Sequence, residues 1–393
     1  MRTCTNCLYP ETTESLTFSG EGVCSVCQQI EYKQTEIDWD ARSIEFDELL
    51  DKYRGKYDYD CIVPFSGGKD STYTLWYLIK EKGLKPLVVR FDHGFYRTRV
   101  NENVDRALKL LGADILQFTP NWQVVRKLMF ESLRRRGDFC WHCHCGIFSY
   151  PMWISLNFGV PLVLWGEKSE YASFYANFDD ETEHDERRFN LKINLGINSE
   201  DMLGMLDDTV SDYPVTERDL KPYTFPPAAE IRKAKIKSTF LGHYIPWDRP
   251  KQVDIIQKEL GWQGDEVEGI PPEYDYEKIE CFMQGVRDYL KYLKRGVGRT
   301  NHLTSIDIRY GRKTREEGLA LTEEYDGRRP AALDVFLRCL DISEDEFYEL
   351  AEAHVVAPHE MPPIEELKER KTNRVPWDYD QWMPFSGDPK KDS

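Results

Sequence analysis

Val63-Pro-Phe65-Ser66-Gly67-Gly68-Lys69-Asp70-Ser71 decides how this chain is read. The apolar run Asp60 to Phe65 predicts a buried strand, and residues 71–83 predict a helix closed by Gly83. A glycine-rich turn between strand and helix is where backbone amides and a helix dipole bind phosphate. The residue types suit that chemistry. Gly67 and Gly68 let the backbone approach oxygen closely, and Ser66 and Ser71 add hydroxyl donors. Lys69 supplies a point charge, and Asp70 can hold magnesium against the phosphates. The GxxxxGK[ST] spacing of the commonest phosphate loop is absent, so this is a loop of another kind.

Outward from the loop the pattern alternates. Lys85 to Phe91 predicts a second strand, residues 100–112 a second helix and Asp114 to Phe118 a third strand. A helix around 146–158 precedes a fourth strand, Val160 to Trp165, and Leu241 to Trp247 is a candidate fifth. Such alternation predicts an α/β fold, a parallel sheet with helices on both faces. An amphipathic stretch ending at Gly55 precedes the sheet. Between about 170 and 230 the pattern breaks into loops and short helices, an insertion that can lie over the active site. Its acidic run 179–186 reads by itself as a solvated face. Residues 251–352 are mostly helical, and the tail after Pro358 is irregular. The expected domains are a knuckle at 1–40, the sheet domain at 58–250, a helical region at 251–355 and a tail at 356–393.

The 393 residues suffice for a sizeable core, and 40% hydrophobic with 13% aromatic content excludes disorder for most of the length. Fifty-two basic against 69 acidic residues give a net charge of −17, which argues against nucleic-acid and anionic-membrane partners. Nothing approaches the roughly 18 uninterrupted apolar residues of a membrane helix. The first residues lack a signal peptide's apolar core, so a cytoplasmic location is expected. Ten cysteines then point to metal or reactive thiols. Cys4-x2-Cys7 and Cys24-x2-Cys27 are spaced for four thiolates to converge on one structural zinc, closed to substrate.

Two further clusters carry chemistry. Cys140-Trp-His-Cys143-His144-Cys145 is dense enough for zinc or an iron–sulfur cluster. No partner ligands lie nearby at metal-site spacing, so the favoured reading is a helix start from which Cys143 and His144 line a substrate pocket. Cys61, Cys281 and Cys339 stand isolated in the sequence. Residues 292–315 are basic within an acidic protein, with Arg299, His302, Arg309 and Arg312 able to grip anions. The plain alternative is a solvated helix pair.

The string SGGKDS resembles the pyrophosphate loop of the PP-loop ATP pyrophosphatase superfamily, whose members cleave ATP between the α and β phosphates and adenylate a substrate oxygen. The resemblance implies that ATP and Mg2+ are bound by Ser66 to Ser71. It implies nucleotide contacts at the end of the second strand, at Arg90, Phe91 and Asp92. It also implies a later loop, Trp165-Gly166-Glu167-Lys168-Ser169-Glu170-Tyr171, with Gly166 beside the nucleotide and Tyr171 beside the substrate. Glu167 or Glu170 would orient the nucleophile or a second cation, although acids after a strand also serve simply as helix caps.

The knuckle, this loop, Gly242-His-Tyr-Ile-Pro-Trp-Asp248 and the basic stretch together resemble the N-acetyl sugar amidotransferase family over about residues 1–330. That resemblance implies conversion of an acetamido group to an acetamidino group on a sugar of a surface glycan, lipopolysaccharide or flagellin. Lys69 and Asp70 would be catalytic, and the cations from Arg299 to Arg312 would hold a sugar-nucleotide diphosphate or the sugar's acid group. It implies as partners a separate glutaminase and a barrel-type ammonia-channelling subunit, since no glutaminase triad is recognisable in the chain. The alternative within the superfamily is an ATP-dependent tRNA sulfurtransferase.

Overall fold

The computed structural model describes residues 1–13, 16–167, 183–370 and 372. Its centre is a five-stranded parallel sheet of β1 (Cys61–Pro64), β2 (Pro86–Phe91), β3 (Asp114–Phe118), β4 (Leu162–Trp165) and β5 (Lys237–Phe240). The order is β3-β2-β1-β4-β5. The chain runs outward from β1 to β3, then crosses back to place β4 on the other side of β1, pairing Ile62 with Val163. That reversal opens a crevice at the carboxyl ends of β1 and β4, where ligands of open α/β sheets bind.

The central strands β1, β2 and β4 are buried because both faces of the sheet are covered, while the edge strands β3 and β5 carry polar residues. Val63, Val88 and Leu164 face one layer, which contains α2 (Trp39–Asp51), α3 (Lys69–Trp76) and α4 (Thr98–Leu111). Ile62, Val89 and Val163 face the other, which contains α5 (Trp122–Arg136) and α6 (Trp141–Phe158). The first layer continues past residue 250. Helix α11 (Arg249–Leu260) contributes Val253, Ile256 and Leu260 to it, and Trp262, Ile270 and Tyr274 follow.

A third apolar cluster joins α5 to the carboxyl-terminal helices α12 (Gln284–Arg295), α15 (Ala332–Leu340) and α16 (Glu344–Glu352). Beside them run α13 (Arg299–Arg309) and α14 (Arg315–Tyr325). The amino-terminal knuckle has its own small cluster, into which α1 (Ser25–Thr35) places Val26 and Cys27.

Several boundaries differ from the sequence expectations. The fifth strand is 237–240, not 241–247. Its residues continue the register of β4, and the chain then turns at Leu241–His243. Helix α6 begins at Trp141, so the cysteine cluster occupies its first turn. The expected insertion contains α7 (Glu186–Arg188), α8 (Ser199–Met205), α9 (Glu217–Leu220) and α10 (Ala228–Lys233). Much of the acidic run 179–186 lies outside the described residues. In the tail, Ile364–Glu369 forms a short helix, α17, anchored by buried Leu367.

Candidate active site

The glycine-rich loop that begins at Ser66 joins β1 to α3 at the sheet's reversal. Gly67 holds φ at +84°, and a Cβ there would sit 2.5 Å from Val104 Cγ2 and 2.9 Å from Val100 Cγ1 on α4. Only glycine fits this turn without strain. The amides of Ser66 and Gly67 donate to Ser71 Oγ at 3.2 Å each, and the Gly68 amide donates to Ser66 Oγ at 3.3 Å. These donors gather at the amino terminus of α3, as an anion cradle requires. Trp262 Nε1 pins the loop from outside by donating to Gly67 O at 3.1 Å. Gly67→Ala is expected to cost about 1–3 kcal/mol from positive φ and overpacking. Thermal unfolding should register this as a lower Tm.

A charge network stands against the loop. Lys69 is only 4% exposed, and its Nζ lies 2.9 Å from Asp70 Oδ2 and 3.1 Å from Glu277 Oε1. Arg249 on α11 lies 2.8 Å from Glu167 and 4.0 Å from Glu277. Trp247 Nε1 donates to Asp70 Oδ1 at 3.3 Å. Burial opposes the charge on Asp70, but Lys69 and Arg249 outweigh it and hold the carboxyl at about 2. For Lys69 burial again works against the charge, and Asp70 and Glu277 reverse it, so the ammonium is held well above its usual range. Glu277 is pulled below its usual range by the same cations, against its own burial. All three groups are therefore charged at neutral pH. Next to them, a Cβ on Gly68 would lie 2.8 Å from the Glu280 carboxylate.

Glu277, Glu280 and Arg249 are not singled out by sequence, because no local spacing links them to the loop. Trp247 falls in the Gly242–Asp248 stretch, which carries a resemblance but no assigned role. Gly166 matters for steric reasons. Its Cβ would lie 2.8 Å from Thr74 Oγ1 and 3.4 Å from Asp70 O, so glycine lets the end of β4 run against α3.

Other predicted residues are engaged inside the fold. Arg90 donates to Asn101 Oδ1 at 2.9 Å and Gln117 Oε1 at 3.3 Å, with its guanidinium 3.6 Å from the Tyr96 ring centroid. Asp92 accepts from the Gly94 amide at 2.8 Å and from Thr119 Oγ1 at 3.1 Å, which shapes the turn after β2. The Phe91 side chain is buried, and its ring occupies the space left by Gly146. Glu170 and Tyr171 lie outside the described residues.

In the first turn of α6, burial and then Arg287 hold His144 at about 3, so it is neutral at physiological pH. Cys281, isolated in sequence, packs with Cys143 against the apolar cluster that contains Cys140. Burial raises the Cys143 thiol, and Cys281 is the next cause.

The four basic candidates do not form one open anion site. Arg299 is buried, with Nη2 3.1 Å from Asp288. His302 bonds the Tyr9 hydroxyl through Nδ1, with the two rings stacked at 5.9 Å. Arg309 meets Cys7 Sγ at 3.7 Å. Arg312 pairs with Asp248 at 3.1 Å and Asp307 at 3.3 Å. Buried cations need partners, and in this acidic chain carboxylates and sulfur supply them.

The knuckle fits a metal. All four ligand sulfurs of Cys4, Cys7, Cys24 and Cys27 lie within 4.8 Å of one another, and all four residues are buried. Cys4 and Cys27 are 3.8 Å apart and Cys7 and Cys24 3.7 Å, close to the edge of a tetrahedron with Zn–S bonds of about 2.3 Å. The Cys7 and Cys24 amides donate to Cys4 Sγ at 3.4 and 3.2 Å, as they would to a thiolate ligand. With four thiolates there is no open position for chemistry.

Residues 273–382 match the family described as "LPS biosynthesis protein WbpG-like, C-terminal domain". This is the segment that brings Glu277 to Lys69 and Glu280 beside Gly68. The chain is also similar to "Uncharacterized protein MJ1599" of Methanocaldococcus jannaschii, 25% identical over 175 residues. That alignment spans 43% of this chain and 60% of the relative, less than two thirds of the latter's length. Among solved structures it is similar to the U34-tRNA thiolase NcsA from Methanococcus maripaludis with its [4Fe-4S] cluster. The identity is 12% and the TM-score 0.30, covering 79% of this chain and 87% of that one. No helix among the described residues is long and apolar enough to cross a membrane.

Proposed function

We propose that this protein is an ATP-dependent, AMP-forming amidotransferase that converts the acetamido group of a sugar into an acetamidino group. One observation carries the reading. The segment similar to a lipopolysaccharide-biosynthesis domain supplies Glu277, and that carboxylate lies 3.1 Å from the lysine of the phosphate loop. That contact supports reading the matched segment and the glycine-rich loop as parts of one site.

The chemistry follows from the poor electrophilicity of an amide. Its oxygen attacks the α phosphorus of ATP and pyrophosphate leaves, giving an O-adenylyl imidate. Ammonia then adds to the imidate carbon, and AMP leaves with the former amide oxygen. Ser66, Ser71 and the loop amides would hold the departing pyrophosphate, and Lys69 would offset the charge that grows on it. Asp70 is the carboxylate that would hold a magnesium ion, which would supply charge compensation for the phosphates. Glu277 and Arg249 keep Lys69 and Glu167 in place.

The test is a mass-spectrometric screen of acetamido sugars with ATP, magnesium and ammonium. A product in which NH has replaced oxygen, formed with stoichiometric AMP and pyrophosphate, supports the reading. ADP and orthophosphate would overturn it. Ammonia is proposed to come from a glutaminase through a channelling subunit docked near the crevice. Glutamine alone should therefore give no turnover with the purified chain, whereas high ammonium should. Equal rates with the two donors would place a glutaminase in this chain.

A second reading, sulfur transfer to tRNA, would need Cys140, Cys143 and Cys281 to converge on one cluster, whereas among the described residues only the knuckle sulfurs lie within metal-sharing distance of one another. A visible-absorbing cluster together with a tight tRNA complex would select it.

A further inference from the structure

We propose that α13 forms the outer shell of the zinc site, with Arg309 balancing its charge, so that zinc binding and docking of α13 are one linked equilibrium. Four thiolates around a divalent zinc carry net negative charge, and a buried negative centre needs a counter-charge. Arg309 is buried and donates from Nη2 to Cys7 Sγ at 3.7 Å. Its guanidinium lies 4.4 Å from the centroid of the Tyr9 ring, which fixes the approach. Cys7 and Tyr9 thus reach it from the opposite end of the chain.

The neighbouring contacts bind the same turn. The Leu8 amide donates to Ser305 Oγ at 3.2 Å, and Asn301 Nδ2 donates to Leu8 O at 3.1 Å. The Tyr9 amide points at Cys7 Sγ from 3.5 Å, and the Tyr9 hydroxyl meets His302. On α14, Arg315 donates to Cys4 O at 3.3 Å. A Cβ on Gly318 would lie 3.1 Å from Leu8 Cδ1, so this helix also closes tightly on the turn.

The linkage follows from these contacts. A metal that fixes Cys4 and Cys7 presents Leu8 and Tyr9 in the one shape that α13 accepts. In return, α13 presents a cation to a ligand sulfur. Coupling of this kind is reciprocal: each event strengthens the other by the same factor. Outer-shell partners of metal ligands are typically worth 10- to 100-fold in affinity. The inference rests on the zinc reading of the knuckle and is independent of the proposed reaction.

The test uses the full zinc-loaded chain and a chromophoric chelator. Arg309→Met keeps most of the side-chain bulk and removes the charge, and it should weaken zinc binding about 10-fold or more. Arg309→Lys should recover part of that loss. An unchanged zinc affinity in Arg309→Met would overturn the proposal, as would a parent chain that binds no zinc. Because a substitution in a buried contact can disturb folding, the parent supplies a second measurement. Hydrogen exchange across residues 299–309 should accelerate when the chelator removes zinc, and equal protection with and without metal would refute the linkage.

Discussion

Replacing Lys69 by alanine is expected to lower pyrophosphate release from ATP by about 10²–10³-fold, the usual cost of removing one donor from developing charge. The ammonium projects from the first residue of α3, is buried, and is held charged by Asp70 and Glu277. It therefore needs no reorganisation when negative charge grows on the departing phosphates. The loss should fall mainly on kcat, since the loop amides still contribute to binding. Asp70→Ala should give a similar rate defect with a raised magnesium requirement. Removing Lys69 also strips one partner from buried Glu277, and breaking a buried pair costs about 3–5 kcal/mol. Arg249, 4.0 Å from Glu277, retains part of the compensation. Lys69→Arg separates the two effects: it keeps the charge and the fold but cannot place a point charge at the same spot. The assay is quantification of AMP and pyrophosphate with the best sugar acceptor, beside thermal unfolding of each variant. A Lys69→Ala protein that releases pyrophosphate at the parent rate would overturn the role given to this loop.

Loss of the knuckle metal is the second large effect. In the Cys24→Ser, Cys27→Ser double variant, metal analysis should find about one zinc fewer per chain. Four of the six buried residues in the knuckle's own apolar cluster are its proposed ligands, so without the ion this segment has little apolar core of its own. Structural zinc in small modules contributes on the order of 10 kcal/mol to their folding at neutral pH. The expected result is proteolytic cleavage within residues 1–40 under conditions that leave the parent intact. The α13 contacts to Leu8, Tyr9 and Cys7 disappear with the knuckle, so the Tm should fall as well. Equal zinc content in variant and parent would sink the assignment.

What was legible in the sequence was local. The strand–loop–helix around Ser66 to Ser71 could be read because its glycines, apolar run and helix start are contiguous. The doubled CxxC could be read because ligand spacing is a short-range property. Parallel topology followed from alternating strands and helices, since a crossover helix leaves a periodic mark. The fifth strand was displaced by a few residues because Lys237–Phe240 mixes polar and apolar side chains, and pairing with β4 decides it.

The site's remaining partners were hidden for one reason. Glu277, Glu280 and Arg249 reach the loop only because the chain returns over it after the sheet is complete. Cys281 comes to the apolar cluster that Cys143 packs against by the same route. The arginines of 299–312 showed the complementary problem. Their charge is plain in the sequence, but which carboxylates or sulfurs neutralise it depends on chain segments far away.

By itself, then, the sequence determined the glycine-rich turn between strand and helix, the four-cysteine knuckle and the α/β class, because each rests on backbone conformation or spacing within a few residues. Only the tertiary structure decided that Glu277 pairs with Lys69, that Arg309 faces Cys7 and that α11 belongs to the sheet's core. Those are long-range choices, made by burial: a charge removed from water must find a counter-charge, and an apolar face must find a cover, wherever in the chain these happen to lie.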